Sequence, residues 1–140
     1  MWEPNLKSFF MNNFKHTFII DDDAIFVLVF TKILSNIDNF NKIDSIKNGL
    51  LALQELKNLD AKNEKLPDII FLDLNMPVLD GWQFLDEIEN LPFKEKLNIH
   101  VISSTIDFKE IDKSKRYKTV KSFIQKPTSA KELMQSLEIL

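Results

Sequence analysis

The sequence predicts an α/β domain built on a doubly wound, five-stranded parallel sheet with helices on both faces. Three observations carry this. Short apolar runs such as Phe18-Ile19-Ile20 and Ile69-Ile70-Phe71-Leu72 alternate with stretches whose apolar residues recur at helical spacing. Strands that alternate with helices specify a parallel sheet joined by helical crossovers. The chain of 140 residues suits one domain of this kind, long enough to bury about 70% of the surface its unfolded form exposes.

Taken in order, residues 1–15 show no clear period and read as an N-terminal extension, with 16–140 as the domain. His16–Ile20 reads as a buried strand, and Ile25, Leu28, Val29, Ile33 and Ile37 trace an amphipathic helix over 24–38. Lys42–Ile46 is a weak strand. Asn48-Gly49 punctuates the chain before a second helix over Leu50–Leu59. Pro67 precedes the strongest strand, Asp68–Leu72. Trp82, Phe84, Leu85 and Ile88 mark a third helix, with Trp82 in its core stripe, closed by Leu91-Pro92. A fourth strand over Ile99–Ile102, a polar helix over 107–117 and a fifth strand over Ser122–Ile124 follow. Ser129 with Glu132 three residues on is a capping box that opens a last helix to Leu140.

Composition excludes several classes of function. There is no cysteine, hence no disulfide, thiolate metal site or cysteine nucleophile. Two glycines are too few for a Gly-rich phosphate loop. No apolar run approaches the roughly 18 residues that span a membrane, and residues 1–16 do not read as a signal peptide, so a cytoplasmic protein is expected. Charge is uneven: residues 1–106 hold 10 basic against 16 acidic side chains, and residues 107–140 hold 8 against 5. Lys109, Lys113, Lys115, Arg116, Lys118, Lys121 and Lys126 read as a solvated face or as a docking surface for an acidic partner. The acidic overall balance argues against nucleic-acid binding.

In a doubly wound sheet, ligands bind beyond the carboxyl ends of the strands. Four of the five strands send a polar group there: Asp21 and Asp22, Asp73, Ser103-Ser104, and Lys126-Pro127. Clustered carboxylates make a site for a hard divalent cation. His16 and His100, which border strands, read as structural.

The ordered set Asp21-Asp22, Asp73-Leu74-Asn75-Met76-Pro77 with Asp80-Gly81, Ser103 and Lys126-Pro127 resembles a response regulator receiver domain, similar to the single-domain chemotaxis regulators. The resemblance implies a flavodoxin-like strand order of 2-1-3-4-5 and an Asp73 that accepts a phosphoryl group. It implies Mg²⁺, with Mn²⁺ as a substitute, held by Asp21, Asp22, Asp73 and the Asn75 backbone carbonyl. Lys126 and Ser103 would neutralise phosphoryl oxygens, and Ser103 and Phe123 would form a switch. The donor would be a histidine kinase or histidine phosphotransfer protein. The downstream protein would bind the face of the fourth helix, fifth strand and fifth helix. With nothing after the last helix, a stand-alone receiver is expected. One departure is visible, since Arg116–Lys121 lacks the family's usual Gly-Ala pair and leaves the fourth helix open in position. Two other readings remain. A dehalogenase-type phosphatase would need an acid where Asn75 stands, and a degenerate receiver would be a binding module only.

Overall fold

The computed structural model describes residues 13–105, 107–126 and 128–137. Residues 1–12, Pro127 and the expected helical end at Leu140 lie outside the described residues. Five parallel strands, β1 Phe14–Ile20, β2 Phe40–Ile46, β3 Ile69–Asp73, β4 Ile99–Ser103 and β5 Val120–Gln125, form one sheet in the order β2-β1-β3-β4-β5. The helices are α1 Ala24–Ser35, α2 Gly49–Ala61, α3 Gly81–Glu89, α4 Phe108–Ser114 and α5 Ala130–Ser136. Fold class and strand order are those expected. β1 starts two residues before the periodicity indicates, because Phe14 is buried and pairs with Phe40.

The sheet is covered on both faces. Phe18, Ile20, Ile70 and Leu72 pack with Leu53 and Leu56 of α2 and Phe84, Leu85 and Ile88 of α3. Ile19, Ile69, Phe71, Ile102 and Ile124 pack with Phe30 and Leu34 of α1 and Leu133 of α5. Every residue of β3 and β4 is buried, as central parallel strands require.

The orientation of α1 differs from the expected stripe. Ile25, Leu28 and Val29 are exposed, at 77%, 61% and 50%, while Phe30 and Leu34 are fully buried. Residues 24–30 are apolar throughout, so periodicity cannot fix the phase of the helix. Bulk decides it, because the large Phe30 ring fills the layer against Phe71. α4 is shorter than expected and ends at Lys115, its C-cap. Trp82 is half-buried and packs against the edge of the core, beside Tyr117 and under the Lys113 ammonium.

The chain after β3 is tightly constrained. The Leu79 amide donates to the Pro77 carbonyl at 2.9 Å, closing a three-residue turn around Val78, whose φ is 73°. That is the strained form of γ-turn, unfavourable for a β-branched residue. Asp80 then caps α3 in a reciprocal box, accepting from the Gln83 amide while Gln83 Oε1 accepts from the Asp80 amide. Gly81 lies so close to β3 that a Cβ there would stand 2.6 Å from Leu74 Cα and 2.7 Å from the Asp73 carbonyl oxygen.

Gly81→Ala is therefore expected to destabilise the domain by about 2–3 kcal/mol, the cost of overpacking against backbone. Val78→Gly is expected to stabilise it by about 1 kcal/mol, since relief of the left-handed backbone outweighs the entropy that glycine adds to the unfolded chain. Urea denaturation of both variants measures these signs.

Candidate functional site: an acid pocket at the carboxyl end of the sheet

β1 and β3 are adjacent and run parallel, with Ile20 opposite Leu72. The residues that follow them therefore emerge at one edge. Asp21 comes directly after β1, Asp73 is the last residue of β3, and Asp22 and Asp23 lead into α1. Asp23 accepts from the Ile25 and Phe26 amides at 3.1 Å each and so serves as the N-cap of α1. Asp21 and Asp73 are buried and Asp22 is exposed. Carboxylate oxygens of all three lie within 4.8 Å of one another.

Lys126, just after β5, reaches into this group. Its amide donates to the Ser103 carbonyl at 2.7 Å, which fixes the start of the side chain beside the end of β4. Its Nζ then lies 2.6 Å from Asp21 Oδ2 and 3.7 Å from Asp73 Oδ1. It also sits 4.2 Å from the centre of the Phe26 ring.

One ammonium does not balance three carboxylates. Burial, together with the Asp21 charge, pushes the Asp73 carboxyl up to about 6, against the pull of Lys126 and the Asn75 amide. Asp21 Oδ1 accepts from the Asp23 amide at 2.9 Å. Asp21 Oδ2 is ion-paired with Lys126 at contact distance but makes no well-aligned hydrogen bond. A buried carboxylate oxygen with free lone pairs, within reach of two further carboxylates, suits a hard divalent cation. The residues fit Mg²⁺ by donor chemistry and by charge.

The remaining expected residues divide. Asn75 is exposed and its amide donates to Asp73 Oδ1 at 3.4 Å. Ser103 closes β4 fully buried, its Oγ accepting from the Thr105 amide at 3.3 Å. Among the described residues no hydrogen bond joins Ser103 to Asp73. Phe123 pairs across the sheet with Val101 and lines a cavity of about 120 Å³ with Ile111, Ser114 and Val120, away from the acid pocket. His100 is buried between Asn98 and Ser122, and burial lowers its pKa to about 4, which leaves it a neutral structural group. His16 is paired with Asp44 at 2.7 Å.

Phe26 is the contact that sequence reasoning missed. Its spacing of four from Phe30 was the available signal, masked by the run of apolar residues around it.

The response regulator receiver domain family matches residues 17–138. A protein-glutamate methylesterase/protein-glutamine glutaminase 1 of Paramagnetospirillum magneticum is 32% identical over 117 residues, which is 82% of this chain and 28% of that protein. The chain thus spans under a third of that relative's length. Among solved structures, a two component response regulator from Cytophaga hutchinsonii superposes with a TM-score of 0.82 at 28% identity, covering 90% of this chain and 96% of that one. The phosphorylated cyanobacterial phytochrome response regulator RcpA superposes at 0.71 with 27% identity, covering 86% of each chain.

The raised Asp73 pKa has a consequence for stability. Folded Asp73 keeps its proton up to pH about 6, whereas its ordinary value is 3.8. The native state therefore binds more protons between those values and loses stability as pH rises through them. In metal-free buffer at pH 7.5, Asp73→Asn is expected to be more stable than wild type by about 1–2 kcal/mol, after allowance for solvent screening. The advantage is expected to vanish below pH 4, and thermal melts across that range read it directly.

Proposed function

Because the chain belongs to the response regulator receiver domain family, we propose that Asp73 accepts a phosphoryl group in a Mg²⁺-dependent reaction and that the phosphorylated protein signals by protein contact. The observation that carries this reading is the pocket itself: a buried strand-end carboxylate beside two further acids, with a lysine ammonium reaching two of the three. The relative RcpA, described as phosphorylated, supports the same chemistry here.

In this reading a carboxylate oxygen of Asp73 attacks phosphorus, a phosphorus–oxygen bond forms, and the bond to the donor breaks. The product is an acyl phosphate, a case of covalent carboxylate catalysis. The donor is the phosphohistidine of a histidine kinase or phosphotransfer protein, whose imidazole leaves with a proton, or a small acyl phosphate. Mg²⁺ held by Asp21, Asp22, Asp73 and the Asn75 carbonyl would neutralise charge on the transferring group. Lys126 supplies a second positive charge at the same point, and such positioning and charge stabilisation make up most of the catalysis in phosphoryl transfer. The Ser103 hydroxyl, freed from the Thr105 amide, would bond a phosphoryl oxygen, and Phe123 would turn toward the space behind β4. The downstream target would then read α4, β5 and α5.

A protein donor must cover the rim to reach Asp73. The helix that follows Asp22 and Asp23 presents exposed Ile25, Leu28 and Val29 beside that rim, and we assign this surface to the donor.

Incubation with acetyl phosphate and Mg²⁺ tests the reading. A labile phospho-species is expected in wild type and is expected to be absent in Asp73→Asn and in EDTA. Steady release of phosphate from phosphomonoesters would instead support a phosphatase, and absence of labelling under all conditions a binding module. Leu28→Asp is expected to slow transfer from a phosphorylated histidine donor about tenfold or more, as loss of an apolar anchor does. Its labelling by acetyl phosphate is expected to stay at the wild-type rate.

A further inference from the structure

We propose that Phe26 is a positioning residue for Lys126, holding the ammonium against the acid pocket through the face of its ring; this rests on the receiver reading. The Lys126 side chain is 12% exposed. Its Nζ lies 2.6 Å from Asp21 Oδ2 and 3.7 Å from Asp73 Oδ1, and the centre of the Phe26 ring lies 4.2 Å from it. An aromatic face carries negative potential and attracts a cation at this distance. It offers no oxygen, so it holds the charge without taking over the N–H donors that must point at carboxylate or phosphoryl oxygens.

The ring is itself fixed in place. Its backbone amide donates to the N-cap Asp23 at 3.1 Å. One turn on, Phe30 stacks against it with centroids 5.2 Å apart and planes at 17°. Phe30 is fully buried and meets Phe71 edge-on at 4.9 Å. Phe71 lies two residues before Asp73 on β3. The platform under the ammonium is thereby braced on the strand that carries the phosphoacceptor.

A lysine has a four-carbon stem with many rotamers, and an ion pair alone does not restrict it to one. In the proposed reaction Asp21 and Asp73 also serve a cation and a phosphoryl group, so their hold on Lys126 changes as these bind. The ring contact is the one that neither ligand competes for. Its role is to keep the ammonium over the site through the reaction.

The test compares Phe26→Leu, Phe26→Tyr and the chain with pentafluorophenylalanine at 26, which keeps the shape of the ring but reverses the potential of its face. Three quantities are read: the Lys126 ε-methylene proton shifts by NMR, the rate of labelling by acetyl phosphate, and Mg²⁺ affinity. Wild type and Phe26→Tyr are expected to show Lys126 protons shifted upfield by the ring current, with matching labelling rates. Phe26→Leu is expected to lose the shift and to label about 3- to 10-fold more slowly, with Mg²⁺ affinity within twofold of wild type. The fluorinated chain is expected to fall with it, although its packing is unchanged.

Equal labelling rates in wild type, Phe26→Leu and the fluorinated chain would overturn the proposal and leave the receiver reading intact. A slow Phe26→Tyr with wild-type stability would also overturn it. Failure of wild type itself to label would overturn the receiver reading, and the role given to Phe26 with it.

Discussion

Three clustered carboxylates, two of them held by one ammonium, are the constraint on which the rest of this structure depends. Asp21 and Asp73 are buried, yet the described residues place a single cationic side chain against them. A buried charge is costly unless compensated, and burial first, with the Asp21 charge second, pushes the Asp73 carboxyl up to about 6. A domain selected for stability alone would replace one of these acids. In the reading proposed above, a divalent cation is the species that would complete the charge balance at this rim.

Holding such a cluster requires rigid support, and the support is local. β3 is buried at every residue, so Asp73 cannot shift along the strand without moving the core. Behind it, the γ-turn at Val78, the Asp80–Gln83 box and the close approach of Gly81 tie the loop back onto the strand end. Strain at Val78 is tolerated because capping and packing on both sides over-determine the turn. The Lys126 amide bonded to the Ser103 carbonyl makes the ends of β4 and β5 one unit. Any movement of the Ser103 loop is therefore felt at the start of the Lys126 side chain.

The sequence carried the fold because its apolar runs and helical spacings alternate so regularly. It carried the acids and Lys126 as well, because each stands where a strand runs out. What it could not show depended on rotation or on distant partners. Residues 24–30 of α1 are apolar on every side, so no period says which face turns inward, and Ile25, Leu28 and Val29 proved to be the outward ones. Phe26 was lost in the same run, although its ring meets a lysine a hundred residues away. The Asp80–Gln83 box escaped notice because Asp-Gly reads first as a turn. The end of α4 depends on contacts made by Lys113 and Tyr117 that no local pattern encodes.

Those contacts bear on how a signal could leave the site. α4 is a helix of seven residues, too short to be stable by propensity, and helices of that length hold through tertiary contacts. Its anchors lie on α3: Lys113 sits over Trp82 at 4.3 Å, and Tyr117, in the turn after α4, donates to Asp86 at 2.6 Å. On the β5 side, half-buried Phe123 lines a cavity of about 120 Å³ together with Ile111 and Ser114 of α4. In the reading proposed above, that cavity would leave α4 room to move if the neighbouring end of β4 rearranged around a new charge at Asp73.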